Sequence, residues 1–339
     1  MARSSVTCLD GEVLRIQDLG PTFRRITFGG PGMADFGIAG PALDMRLKLV
    51  IPPAGVGEDE RFDLPGLVDR ATEPGMSWYK EWLQVPEAER GAMRTYTVRA
   101  WRDAERELDV DLVLHTDADG HSGPAAAWAQ HAAVGDRLHI LGPHREFTGD
   151  TGGIEFEPGS SRDLLLAGDE TAVPAIVSIL GSLPPEATGC ALLEVPRAED
   201  VQPVTAPAGL DVRWLVRGDA TVGSRLEDAV HEVVRTREAA GEDWGHGAAT
   251  SGTAQDAELE EIDIDTTILW EVPHRLTAAA HASGPAAEGE ADDARRFYAW
   301  IAGEAGVVKA LRRYLVREVG VDRRQVAFMG YWRIGKAEG

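Results

Sequence analysis

Through residue 158 the apolar positions come in short runs rich in Val, Ile, Leu, Thr and aromatics, each closed by Gly, Pro or Asp. Runs at 9–16, 23–28, 44–51, 94–101, 107–114 and 136–141 predict six strands. Six such strands suit a small antiparallel barrel. Between the last two, Gly123-Pro124-Ala125-Ala126-Ala127-Trp128 breaks the alternation, and proline at a first turn followed by alanines predicts a helix. After the breaker at 157–161 the period changes. Asp163-Leu164-Leu165-Leu166-Ala167 reads as a fully buried strand and 174–183 as the helix after it. Strands at 192–195 and 212–216, a helix at 226–237, a strand at 297–302, a helix at 307–319 and a last strand at 325–330 follow. Strand alternating with helix implies a parallel sheet covered by helices. The expected fold is therefore β + α/β: a six-stranded antiparallel β-barrel domain over 1–158, then an α/β parallel-sheet domain over 159–339.

Two stretches fit neither pattern. Residues 58–91 carry Trp78, Tyr79 and Trp82 within polar text and read as a long excursion between barrel strands. Residues 239–293 are rich in Ala, Gly, Glu and Asp, with one apolar island at Ile268-Leu269-Trp270, and read mostly as a mobile acidic insertion.

A length of 339 residues gives room for two cores. No apolar run approaches the roughly 20 residues of a membrane helix, and no stretch of signal-peptide length follows Met1-Ala2-Arg3-Ser4-Ser5, which predicts a cytoplasmic protein. Only Cys8 and Cys190 occur, far apart, so neither a disulfide scaffold nor a zinc or iron-sulfur site is expected. A formal charge of −22 argues against nucleic acid or anionic membrane as partner. It also makes any basic cluster informative, lysine above all, since Lys48, Lys80, Lys309 and Lys336 are the only lysines.

Several segments carry candidate chemistry. In Arg94-Thr95-Tyr96-Thr97-Val98-Arg99, strand alternation puts Arg94 and Tyr96 on one face and turns Thr97 away. A guanidinium and an aromatic ring side by side suit an extended ligand with an anionic part and a planar part. Val113-Leu114-His115 leads through an acidic turn to the helix start at Gly123, whose N-terminal amides suit an anion. Ala167-Gly168-Asp169-Glu170-Thr171 follows a buried strand and opens a helix, at the sheet end where open α/β folds bind ligands. It is not the GxGxxG fingerprint. Arg46 and Lys48 share a face of the 44–51 strand.

Arg-x-Tyr-Thr-x-Arg at 94–99, Gly-Asp-Glu-Thr-Ala-x-Pro-Ala at 168–175, Trp-x-x-Arg at 214–217, Ala-Gly-Glu at 302–304, Leu-Arg-Arg at 311–313 and Gly-Tyr-Trp-Arg-x-Gly at 330–335 together resemble the siderophore-interacting proteins. These are flavin reductases related to ferredoxin-NADP reductase. The resemblance implies an FAD-binding barrel, an NAD(P)H-binding α/β domain, and an oxidoreductase that passes electrons from NADPH or NADH through FAD to Fe(III) in a ferric siderophore, releasing Fe(II). It implies that Arg94, Tyr96, Thr97, Val98, Arg99, His115, Gly123, Pro124 and Ala125 hold FAD. Gly168, Asp169, Glu170 and Thr171 would meet the nicotinamide end, Arg217 the adenosine phosphate or ribose, and Gly303, Glu304, Tyr331 and Trp332 would lie beside the cofactors. Lys48, Arg46 and Arg333 form the expected basic cluster for an anionic chelate. No catalytic acid, base, nucleophile or resident metal is implied, and a monomer is expected. The choice among NADH, NADPH and a ferredoxin as donor stays open, as do a flavin reductase with another acceptor and a siderophore-binding flavoprotein without turnover.

Overall fold

The computed structural model describes residues 5–57, 60–70, 77–115, 122–149, 151–242, 268–273 and 297–336. The chain divides into two compact units at Ile154/Glu155. Glu155 joins the second because its carboxylate accepts the Trp270 indole N–H at 3.1 Å and its carbonyl accepts the Tyr298 hydroxyl at 3.3 Å.

The first unit holds β1 (Val6–Asp18), β2 (Phe23–Gly29), β3 (Arg46–Ile51), β4 (Ala92–Thr97), β5 (Ala100–Arg102), β6 (Glu107–Val113) and β7 (Arg137–Pro143). They form one antiparallel sheet in the order β4-β3-β7-β1-β2-β6-β5. Its outermost strands are consecutive in the chain, and the residues between them bond both neighbours. The Val98 N–H donates to Met45 O at 2.8 Å and the Arg99 N–H to Asp109 O at 2.9 Å, which curls the sheet around its core.

The described sheet thus has seven strands where six were expected, because the run at 94–101 breaks in two. Val98 and Trp101 both face the core, and a spacing of three cannot put two side chains on one face of a regular strand. Inward positions Leu9, Val13, Ile26, Phe28, Leu47, Leu49, Val110 and Ile140 fill the interior. The predicted helix is α4 (Pro124–His131), which packs on β3, β4 and β6 with Ala125 and Ala129 in the core.

The excursion between β3 and β4 is partly helical: α1 (Leu64–Arg70), α2 (Trp78–Gln84) and α3 (Glu87–Arg90). Trp82, Leu64, Leu67 and Val68 bury a satellite core against Val50, Met93 and Leu141 on the outer face of the sheet.

In the second unit, β8 (Asp163–Gly168), β9 (Thr188–Val195), β10 (Gly209–Val216), β11 (Trp270–Glu271), β12 (Phe297–Glu304) and β13 (Val326–Trp332) lie in the order β10-β9-β8-β12-β13-β11. Helices α5 (Val173–Leu180), α6 (Ser224–Ala240) and α7 (Ala305–Arg313) cover it, and a wider turn at Tyr314–Val319 extends α7. Five strands are parallel, as expected of strand–helix alternation, but β11 pairs antiparallel with β13, so the sheet is mixed. The island at 268–270 runs into this edge strand at Trp270. Its Glu271 receives two N–H bonds from buried Arg312, at 3.0 and 2.7 Å, which ties the edge to α7. The rest of the expected acidic insertion, 243–267 and 274–293, lies outside the described residues. Among the described residues, no helix is long and apolar enough to cross a membrane.

Candidate functional site

Cross-strand register decides which face each β4 side chain takes. Tyr96 pairs with Leu47 and Arg94 with Leu49, both core residues, so Arg94 and Tyr96 point to the inner face. Each is half-buried, and Tyr96 packs against the core. The Arg94 guanidinium donates to Met93 O at 2.8 Å. Helix α4 packs against this strand, and among the described residues no side chain caps its N-terminus, where Gly123 and Pro124 are exposed. Val98 is buried and Thr97 turns away as expected; the Val98 N–H is spent on Met45 O. His115 sits half-buried just past the end of β6.

Arg46 and Lys48 pair with Thr97 and Thr95, and the Lys48 ammonium donates to Thr95 Oγ1 at 2.9 Å. The two basic side chains therefore share one face, as predicted, but it is the face opposite Arg94 and Tyr96. Arg333 belongs to the other unit.

Arg99 shows what the sequence reading missed. On β6, Glu107, Asp109 and Asp111 alternate with Leu108, Val110 and Leu112, so one face of the strand is acidic. Arg25 grips buried Asp111 through two bonds, at 2.6 and 2.8 Å, and Arg99 stands 3.7 Å from the same carboxylate. Arg102 grips Asp109, which also accepts the Thr27 hydroxyl at 2.7 Å. Arg15 and Arg102 share Glu107, whose carboxyl is held down at about 2, chiefly by the Arg15 hydrogen bonds. Burial lowers the Arg99 guanidinium, and its Nε is buried without a hydrogen-bond partner.

These features fit FAD. An arginine and an aromatic ring share the inner side of β4, and the helix packed against that strand starts without a side-chain cap, groups that suit a dinucleotide's diphosphate and planar ring. Arg99 stands on the other face, its Nε 3.7 Å from the Asp111 carboxylate.

The second unit gathers its candidates at the carboxyl ends of the parallel strands. Asp169, just past β8, is buried and accepts four bonds. The Thr171 N–H and hydroxyl reach its Oδ1 at 2.9 and 2.5 Å. The Glu304 N–H and the Trp332 indole reach its Oδ2 at 2.7 and 2.8 Å. Burial first, and the charge of Glu170 second, push the Asp169 carboxyl up to about 7.

Gly303 has φ +144°, and a Cβ there would fall 2.6 Å from the Asp169 carboxylate, so this position requires glycine. A Cβ at Gly168 would fall 2.4 Å from that of Ala172, so the strand-to-helix turn is equally tight. Glu304 caps α7, accepting the Gly306 and Val307 N–H groups at 2.7 and 3.0 Å.

Arg217 is engaged by carboxylates of its own unit. Its guanidinium donates to both oxygens of Glu170, at 2.9 and 2.8 Å, and to Glu194 at 2.9 Å, with 9% of the side chain exposed. Buried Glu194 in turn accepts the Gly223 and Leu226 N–H groups at the start of α6. The arginine's charge is thus spent on two carboxylates of its own chain, not held out for a ligand phosphate. Toward a nicotinamide nucleotide this sheet end offers the glycine backbones and the half-buried surfaces of Thr171, Tyr331 and Trp332, which suit an uncharged ring. Trp270 stacks on Tyr331 with centroids 5.8 Å apart.

Residues 161–335 match the family model described as siderophore-interacting protein, and residues 12–147 the one described as siderophore-interacting FAD-binding domain. An uncharacterized protein of Mycobacterium tuberculosis is 31% identical over 329 residues, 96% of this chain and 90% of its own. The NADPH-dependent ferric-chelate reductase of Escherichia coli is 29% identical over 218 residues, 63% of this chain and 73% of that one. Among solved structures, the siderophore-interacting protein SipS from Aeromonas hydrophila is 27% identical with a TM-score of 0.58, over 98% of this chain and 93% of its own. The chain belongs to the siderophore-interacting protein family.

Proposed function

We propose that the chain is an FAD-dependent ferric-siderophore reductase, taking electrons from NADH or NADPH and releasing iron as Fe(II) from its chelate in the cytoplasm. The redox chemistry is that of the cofactors, hydride from the reduced nicotinamide to the flavin and single electrons onward to Fe(III). The protein's part is placement and field, and no side chain is assigned as acid, base or nucleophile.

The observation that carries this reading is that Arg94 and Tyr96 share the inner face of β4, the strand against which α4, with no side-chain cap at its start, also packs. Arg94 and the Ala125 end of α4 would neutralise the FAD diphosphate, and Tyr96 would lie against its ring. In the second unit, Gly168, Thr171, Gly303 and Trp332 would bound the nicotinamide end, while Asp169, Glu170 and Glu304 hold that framework from within. The relative named a ferric-chelate reductase supports the acceptor assigned here. Arg46 and Lys48, on the other face of β3, would act on an anionic chelate by attraction over distance.

Titration of flavin-free protein with FAD tests the reading. Arg94→Ala is expected to weaken FAD binding about ten- to a hundredfold, as loss of a charge-assisted hydrogen bond does. Equal affinity in the variant and the wild type would remove the observation on which the proposal stands.

A further inference from the structure

Asp169 is built for four donors and no acceptor. The Thr171 amide and hydroxyl take one oxygen; the Glu304 amide and the Trp332 indole take the other. Only an ionised carboxylate accepts on both sides at once. An asparagine there would turn its NH2 toward one pair of donors.

The second pair matters most. Between β12 and β13 the register slips: Gly303 faces Gly330, yet Glu304 faces Trp332, so Tyr331 is an extra residue on β13. Such a bulge re-aims the side chains that follow it. At this slip one oxygen of Asp169 bonds the Glu304 amide on β12 and the Trp332 indole on β13. Gly303, stripped of a Cβ, lets the carboxylate come this close. Glu304 extends the connection, accepting the Ile334 N–H at 3.3 Å.

We infer that Asp169 is a positioning residue, fixing the bulge at Tyr331 and the plane of the Trp332 indole that this strand presents to the bound nicotinamide. What Trp332 faces rests on the proposed function; that Asp169 holds it does not. The charged groups around Asp169 are Glu170, which Arg217 grips from the other side, and Glu304, whose carboxylate is spent on the start of α7.

The indole N–H signals of 15N-labelled protein test this without any turnover. Among nine tryptophans, Trp332→Phe identifies the one resonance that matters. In the wild type this signal is expected to shift with pH, with a midpoint near the raised value of Asp169, about 7. In Asp169→Asn the titration should vanish and the signal should move. Thr171→Val offers a gentler route, since it removes one donor from the ionised form and should drive the midpoint upward while leaving Trp332 bonded. A Trp332 signal that neither variant alters overturns the inference.

With FAD bound, Asp169→Asn should slow anaerobic bleaching by the nicotinamide on the order of tenfold at unchanged flavin content, as misplacement of a positioned group does. Equal bleaching in the variant and the wild type also overturns it. A wild type that neither NADH nor NADPH bleaches defeats the functional reading instead, and the indole signals of the variants alone then decide the role of Asp169.

Discussion

Carboxylates taken out of water govern the second unit at the scale of single residues. Asp169 has its carboxyl raised from an ordinary 3.8 to about 7 by burial and by Glu170. Between those two values the folded chain keeps a proton that the unfolded chain has released, so this group's contribution to stability is lost as pH rises through the window. The urea midpoint of the wild type should therefore decline more steeply than that of Asp169→Asn across that range; parallel profiles would contradict it. Arg217→Ala leaves Glu170 and Glu194 buried without their cation, and should cost about 3–5 kcal/mol in denaturant unfolding. Gly303→Ala places a Cβ against the Asp169 carboxylate at a left-handed φ, and about 1–3 kcal/mol of strain should appear as a lowered midpoint. An unshifted midpoint in either variant would mean that the cluster relaxes without loss. The sequence singled out Asp169, Glu170 and Arg217 as residues that meet a ligand. Their partners stand as far off in the chain as Trp332, and only the sheet order brings β13 to Asp169.

Among the elements, every expected strand run is matched by a described strand, because apolar alternation and turn residues are local signals. What escaped notice depends on neighbours. The run at 94–101 is uniformly strand-like, and its break follows from Val98 and Trp101 both belonging to one interior. The acidic alternation of β6 stands in the sequence, but its arginines come from β1, β2, β5 and the β4–β5 junction, which only register brings together. Strand β11 is two residues long and offers no period to read. The excursion between β3 and β4 carries the satellite core under Trp82, so Trp82→Ala should cost about 3–5 kcal/mol in urea unfolding. A loss within a few tenths of a kcal/mol would show that these helices do not brace the sheet.

Taken whole, the molecule is an acidic protein whose proposed substrate is an anion. Among the described residues many arginines pair with the chain's own carboxylates, and the Lys48 ammonium donates to a hydroxyl, Thr95 Oγ1. Lys48→Ala should raise KM for an anionic ferric chelate at low salt and leave FAD content unchanged. The difference should shrink as salt screens the field; a KM independent of both charge and salt would mean that this face takes no part. Passage of electrons from nicotinamide through flavin to chelated iron can be followed in one anaerobic sequence. FAD-loaded protein is mixed with NADH or NADPH and then with a ferric siderophore, while the visible flavin band and an Fe(II) chelator are followed together. The band is expected to bleach on the first addition and to return on the second as Fe(II) appears in proportion. A flavin that stays oxidised with both nucleotides, or that stays bleached when the ferric chelate is added, would contradict it.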